Sequence, residues 1–389
     1  MQIAHVIQSI NPSQGGPAVV TPRLASAQAK LGHEVTIVTS DGPEAIASYR
    51  SVLEGIPGIE HIRFEYLPAP RSQFGYPIRK QTHSAIHRTI SGLNFLHLHG
   101  VWDTLLLSVG RLATKERIQY ALRPAGMLDP WSMGQKKWKK KLALAMGRRA
   151  LINRAAFIHV LNRDEHDLIA QSLHPHCPMH VVPNGIFIDE VPEITPGYRF
   201  RAQHRPFLNN DPYVLFLSRL HYKKGLEHLA RAFVHVAQKH ERLKLVVAGP
   251  DDGDEKRFRH LIDDLGIASR VLLAGPIYGT AKYDALKESL CFCLPSYQEG
   301  FSLAILEALA CATPVVISKQ CHFPEVGHAE AGLVVDQDPE EIAKAILTLA
   351  TNTDMHHKMK RSGRELIERD YTWPEIAQRT IQYYSKYIR

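Results

Sequence analysis

A repeated alternation of buried strand and amphipathic helix restricts this chain more than any other feature. Apolar runs at residues 3–8, 34–39, 62–66, 95–98, 118–122, 157–161 and 180–182 are separated by stretches with helical spacing, such as 17–31 and 104–114. Residues 183–211 break the alternation: they are rich in Pro, Gly, Asn and Arg, show no period, and read as a linker. The alternation then resumes, with runs at 213–217, 244–248, 270–273, 291–294, 314–317 and 332–335, and helical stretches between them. Such runs, flanked by helices, read as parallel strands covered on both faces. A chain of 389 residues has room for two domains of this kind. The expectation is therefore α/β architecture: two Rossmann-like, doubly wound domains facing across a cleft. They are placed at residues 1–190 and 205–370, with a last helix at 373–389 packing back on the first. Ligands of such sheets bind outside the carboxyl ends of the strands, and a cleft between two domains is the natural site.

Composition narrows the class. No apolar run approaches the length of a membrane span. The first ten residues, MQIAHVIQSI, lack a basic leader and read as a first strand rather than a signal peptide. The five cysteines lie mostly in apolar strand or helix patterns, which suggests reduced thiols and a cytoplasmic protein. Cys291 and Cys293 share a strand face but lack two further soft ligands, so they read as packing residues. The net charge of +8 suits an anionic partner.

Four segments carry chemistry. In LPSYQEGFSLAILEALA (294–310) a buried strand ends, a loop carries Glu299, and a helix starts after Ser302, a good N-cap. The backbone N–H groups of Phe301, Ser302 and Leu303 form a helix start suited to phosphate oxygens, and Glu307 lies further along the same helix, suited to a diol such as ribose. In LSRLHYKKG (217–225), Arg219 and Lys224 follow a strand and lead into a helix; two cations there can neutralise a diphosphate leaving group without a metal. In NPSQGGP (11–17), Gly15 and Gly16 allow close backbone approach to a ligand, although the third glycine of a dinucleotide fingerprint is missing. In LHLHGVW (96–102), His97 and His99 share a strand face, and His99 is expected to face the cleft. A metal at the histidine pair lacks a third ligand in the sequence, so no metal is expected.

These segments together resemble glycosyltransferase family 4, the retaining GT-B enzymes also grouped as glycosyl transferases group 1. EGFSLAILEALACATPVV has that family's two glutamates, here Glu299 and Glu307, and SRLHYKKG resembles its Arg-Leu…Lys-Gly element. The GGPAVVTPRLASAQAKLGHEVTIVTS stretch, HLHGVWD, VPNGI and EVGHAEAGLVV fall in the family's order, so the resemblance spans nearly the whole chain. It implies a metal-independent hexosyltransferase without cofactor that moves a hexose, with retention, from a nucleoside-diphosphate sugar to a glycan or lipid-linked acceptor in cell-surface polysaccharide or glycolipid synthesis. It further implies that Arg219 and Lys224 bind the donor diphosphate, that Glu307 holds the ribose and that Glu299 contacts the transferred sugar. Phe301, Ser302 and Leu303, with Gly15 and Gly16, would line the phosphate and acceptor region. Glu299 and His99 are the catalytic candidates, and Arg123 and Trp102 the acceptor-side ones. Two departures stand out: Ala312 replaces a usual glycine, and Ala125 replaces a histidine that often precedes Gly126. The loss at Ala125 leaves open a catalytically idle nucleotide-sugar-binding protein. A nucleotide-sugar 2-epimerase of the same fold is the other alternative, disfavoured by the arrangement of Glu299, Arg219 and Lys224.

One charged segment remains. From Pro130 to Arg163 there is no acidic residue, and residues 131–154 carry Trp138, five lysines and three arginines. Basic and aromatic character on a helix suits an anionic membrane surface and a peripheral location on its cytoplasmic face; a solvated helix face over core leucines is the alternative. Nucleic acid is not expected, because no binding motif accompanies the charge.

Overall fold

The computed structural model describes residues 1–67, 80–192 and 199–388. Residues 193–198 of the expected linker, and residue 389 of the expected last helix, lie outside the described residues. The chain divides into two compact units, Met1–Glu190 with Trp373–Arg389, and Val191–Thr372.

The first unit is a parallel sheet of β1 (Gln2–Ile7), β2 (Glu34–Thr39), β3 (Ile62–Tyr66), β4 (Phe95–His99), β5 (Gln119–Arg123), β6 (Phe157–Val160) and β7 (Met179–Val181). Its strand order is β3-β2-β1-β4-β5-β6-β7. Successive crossovers run outward from β1 on one side and from β4 on the other, so the switch point lies between these two strands. The Ile3 face of the sheet changes character along the strands. Ile3, Phe95, Ala121 and Phe157 form a dry layer with Tyr384 of the helix Trp373–Tyr387. Two residues further along each strand, the same face carries His5, His97, Arg123 and His159, all buried. Period-two geometry makes this layering unavoidable once the first residues are fixed. The Phe95 and Tyr384 rings stack with centroids 4.3 Å apart, so the terminal helix completes this core rather than decorating it.

The second unit is a parallel sheet of β8 (Tyr213–Leu217), β9 (Lys244–Ala248), β10 (Val271–Gly275), β11 (Cys291–Leu294), β12 (Val315–Ser318) and β13 (Gly332–Val335), in the order β10-β9-β8-β11-β12-β13. Its switch point lies between β8 and β11. Both strands are buried along their whole lengths, which explains their unbroken apolar sequences. Part of the stretch read as linker is structured. Arg199–Gln203 and Arg205–Leu208 are short helices of this unit. Phe200 is buried, and the backbone N–H groups of Phe200 and Arg201 donate to the Glu288 carboxylate. Helices this short carry no readable period, so composition alone made the stretch look like a connector.

All five cysteines are free thiols, and Cys291, Cys293, Cys311 and Cys321 are buried. Burial pushes the thiols of Cys291, Cys311 and Cys321 up to about 12, which keeps them protonated and inert. Among the described residues, no helix is long and apolar enough to cross a membrane.

Candidate functional site

In the second unit, the loops that leave β8 and β11 meet at the switch point. Gly225 ends the first loop with φ +74°, and a Cβ there would lie 1.9 Å from the carbonyl oxygen of Pro295. Only glycine lets the loops approach this closely. The contact is sealed by Tyr297 N–H, which donates to Lys223 O at 2.7 Å.

This approach brings Lys224 against Glu299. The ammonium donates to Glu299 Oε1 at 2.6 Å, and Ser296 Oγ donates to the same oxygen at 2.6 Å. Glu299 N–H donates to Gln320 O at 3.0 Å, which pins the backbone of the loop. The two side chains are only 16% and 8% exposed, so each charge depends on the other for compensation. Arg219, from the start of the same loop, is not part of this cluster: it is half-exposed and donates to Asp252 Oδ2 at 2.6 Å. Ser302 precedes the helix Leu303–Ala310 in an extended conformation, but its side chain makes no capping bond. Ser302 thus holds the N-cap position expected of it, without a side-chain bond. Intrahelical bonding leaves the first N–H groups of that helix without a partner. Phe301 is buried and packs against Phe323 and Tyr371, with centroids 4.8 and 5.9 Å away. It anchors the helix start, and its side chain is not presented to a ligand. Glu307 accepts from Lys282 Nζ at 2.6 Å. Asp252 and Lys282 lie far along the chain from their partners and outside any motif, whereas Ser296 lies three residues before Glu299 in the same motif and could have been found there.

The first unit has its own switch point, between β1 and β4. Gly15 has φ +96°, and nothing lies within 4 Å of a Cβ built at Gly15 or Gly16. Both glycines therefore border open space at the start of the helix Gly16–Lys30. His99 ends β4 but is only 2% exposed. Its ring is buried and hydrogen-bonds to His5. The third imidazole near His97 and His99 is His5, which the sequence reading passed over: nitrogens of the three lie within 4.8 Å of one another. His5 lies in register with His97 across β1 and β4, so pairing strands rather than scanning motifs would have found it. This ligand set fits an imidazole-held cation, but His5 Nδ1 and His99 Nε2 are already hydrogen-bonded to each other at 2.9 Å.

Arg123 ends β5 beside His99. It is buried and donates through Nη2 to Asn184 Oδ1. Burial lowers the Arg123 guanidinium to about 10, against the opposing pull of the Glu165 carboxylate. Glu165 accepts from the N–H groups of Gly126 and Leu161, each at 2.6 Å. Ala125, beside Gly126, adopts φ +50°, so the loop keeps a left-handed conformation there without a histidine. Trp102 is tied to the basic segment: its carbonyl accepts from Arg148 Nη2 at 2.6 Å, and Lys140 Nζ sits 5.2 Å from its ring centroid. In that segment Trp138 and Leu142 are exposed, and Gly147 at φ +116° interrupts the helical run.

Comparisons with known proteins agree with this layout. Residues 15–185 match the model of the glycosyl transferase 4-like domain, and residues 200–366 that of the glycosyl transferases group 1. A D-inositol 3-phosphate glycosyltransferase of Corynebacterium jeikeium is 31% identical over 51% of this chain and 50% of that protein. An uncharacterized glycosyltransferase of Methanocaldococcus jannaschii is 29% identical over 45% of each. The chain thus spans about half the length of the curated relatives it matches. Among solved structures, Anabaena HepE in complex with UDP and glucose superposes with a TM-score of 0.79 at 18% identity, covering 99% of this chain and 100% of that one. Sucrose-phosphate synthase from Thermosynechococcus elongatus gives 0.73 at 20% identity, covering 99% and 98%. These likenesses show the fold. The two family models together cover most of the chain, and it belongs to the group 1 glycosyl transferases, glycosyltransferase family 4, with the GT-B fold.

Proposed function

We propose that the protein is a retaining hexosyltransferase that uses a nucleoside-diphosphate sugar. The observation that carries this reading is the Lys224–Glu299–Ser296 cluster at the switch point between β8 and β11. It sets a cation and a carboxylate side by side, next to a helix start that attracts phosphate. The named relatives fit this donor class: HepE was solved with UDP-glucose, and a matching mycobacterial mannosyltransferase is described as GDP-mannose-dependent.

In this reading Lys224 and Arg219 hold the diphosphate, together with the N–H groups of the Phe301–Ser302–Leu303 segment, while Gly15 and Gly16 of the first unit offer open backbone to a ligand. Glu307 accepts from the ribose hydroxyls, and Glu299 from hydroxyls of the hexose. The bond from the anomeric carbon to the diphosphate oxygen breaks while the acceptor oxygen bonds that carbon from the same face. The acceptor proton passes to the departing phosphate oxygen. Charge growing on that phosphate is met by Lys224 and Arg219, so the step needs no metal. His99 serves the sugar or the acceptor through a hydrogen bond, with Arg123 and Trp102 on the acceptor side. A thermal-shift screen of nucleotide sugars in the presence of a chelator tests the reading. A donor at 100 times its dissociation constant adds roughly 2.7 kcal/mol of stability. No shift with any donor, or a shift that the chelator removes, would count against it. Binding with no transfer to any acceptor would leave a nucleotide-sugar-binding protein instead.

The acceptor in this reading is a glycan or a lipid-linked sugar for cell-surface polysaccharide or glycolipid synthesis, met on the cytoplasmic face of a membrane. Support comes from the segment 131–154, where Trp138 and Leu142 stand exposed among lysines; this is the composition of an interfacial helix. The protein is expected to float with anionic liposomes and not with neutral ones. Retained flotation after Lys136, Lys137, Lys139, Lys140 and Lys141 are neutralised would remove this part of the proposal.

A further inference from the structure

Within the buried polar layer of the first unit, His99, His5, Gln28, Tyr384 and His97 form one hydrogen-bonded chain, and it can be followed proton by proton. Gln28 Nε2 donates to Tyr384 OH at 3.2 Å, so the amide oxygen of Gln28 is the end that faces His5. His5 Nε2 therefore donates to Gln28 Oε1, at 2.8 Å. A neutral imidazole has one proton, which makes His5 Nδ1 an acceptor. His99 Nε2 must then donate to it across the 2.9 Å contact. With its single proton on Nε2, His99 is left with a bare lone pair on Nδ1, and that atom is buried with no partner among the described residues. On the other branch Tyr384 OH, already accepting from Gln28, donates to His97 Nδ1 at 2.6 Å. The imidazoles are neutral as this scheme requires. Burial holds His5 down to about 4 and His97 and His99 well below their ordinary range, and the Arg123 guanidinium pushes each in the same direction.

An arrangement that served only packing would not need this directionality. A buried acceptor without a donor costs about 1–3 kcal/mol, and apolar side chains of similar shape would avoid that cost. Among the described residues His97 Nε2 and His159 Nδ1 are also buried without a partner, but of the three histidines only His99 ends its strand, β4, at the switch point where ligands of such sheets bind. We propose that Gln28 and Tyr384 are positioning residues: the chain they anchor locks His99 in the tautomer whose Nδ1 accepts a hydrogen bond from a substrate hydroxyl. This rests on the reading of the protein as a sugar transferase with His99 in its site. Neither Gln28 nor Tyr384 touches substrate; both act through His5 and His99. The carboxyl end of β4 is thereby made dependent on the helix Trp373–Tyr387, whose sequence lies far from it.

The test uses the full-length protein labelled with 15N at histidine, because nitrogen shifts distinguish the two neutral tautomers directly. In the wild type His99 is expected to show a protonated Nε2 and a bare Nδ1. Gln28→Leu removes the acceptor that orients His5 and should give a mixture of tautomers at His99. Gln28→Glu keeps an oxygen facing His5 and should restore the wild-type pattern. In turnover, Gln28→Leu is expected to lower kcat by on the order of tenfold while KM for the donor changes little. A protonated Nδ1 in wild-type His99 would overturn the proposal. So would an unchanged tautomer in a Gln28→Leu protein that melts like the wild type. If the tautomer responds as stated but His99→Gln transfers sugar at the wild-type rate, the hydrogen-bonded chain stands and the substrate contact of His99 falls. If His99→Gln is inactive and Gln28→Leu is fully active, the reading of the site survives and the positioning role does not.

Discussion

Replacing Lys224 by alanine is expected to lower sugar transfer by a factor of about a hundred or more, the scale lost when one donor to a developing negative charge is removed. Two effects combine. The diphosphate loses a cation, and Glu299 keeps a charge in a site where it is 8% exposed and has lost its compensating partner. Glu299→Gln separates the two. It keeps a group of the same shape beside Ser296, yet releases Lys224 from the carboxylate it holds at 2.6 Å. The free nucleoside diphosphate should then bind more tightly, by up to about tenfold, or ~1.4 kcal/mol. Transfer should fall all the same, because Glu299 no longer accepts from the sugar as a full anion. Titration calorimetry with the nucleoside diphosphate and turnover with its sugar would give both numbers. A Lys224→Ala protein that melts like the wild type and keeps turnover within about threefold would dispose of the proposed site. Weaker diphosphate binding by Glu299→Gln would show that the carboxylate does not compete for Lys224.

Mild acid is expected to unfold the first unit before the second. His5, His97, His99 and His159 are buried neutral, with their basicity lowered chiefly by burial. A folded-state value below the unfolded one means that the unfolded chain binds protons which the folded chain refuses. The stability is therefore complete above the unfolded value of about 6.5 and is lost as pH falls below it. Each histidine removes about 1.4 kcal/mol per pH unit in that window, so four remove about 5 kcal/mol near pH 5.5, comparable with the whole stability of many domains. All four tryptophans, Trp102, Trp131, Trp138 and Trp373, belong to the first unit. Tryptophan fluorescence therefore follows that unit alone. Its denaturation midpoint should drop steeply between pH 6.5 and 5, and a midpoint flat across that range would contradict the neutral-imidazole layer. Histidines of the second unit with lowered basicity, such as His221, His228 and His356, are much less buried and should contribute less.

The fold was largely legible because its central strands are buried on both faces. Runs such as YVLFL and CFCL admit no amphipathic helix, and β8 and β11 occupy the residues expected for them. Short helices with few buried residues, Pro43–Ser48 and Arg199–Gln203 among them, left no period to read. At the candidate site, Glu299 and Lys224 were singled out for separate tasks. Their direct contact could not be read, because it depends on two loops meeting at Gly225, and the two residues lie 75 apart in the chain. The polar layer was missed for a related reason. His5, His97, His159 and Tyr384 sit on four different elements, and each alone looks like an ordinary strand or helix residue. Only the parallel register shows that the three histidines share one face, against which Tyr384 packs.

The helix Trp373–Tyr387 gives the chain an order of assembly. Residues 1–190 are synthesised before Val191–Thr372, but the side chain that closes their core, Tyr384, is made only after the whole of that segment. During translation the earlier sheet must wait, with Phe95 and Phe157 uncovered, while the later one has everything it needs to fold at once. Of the two units, the one begun earlier is therefore the one completed later.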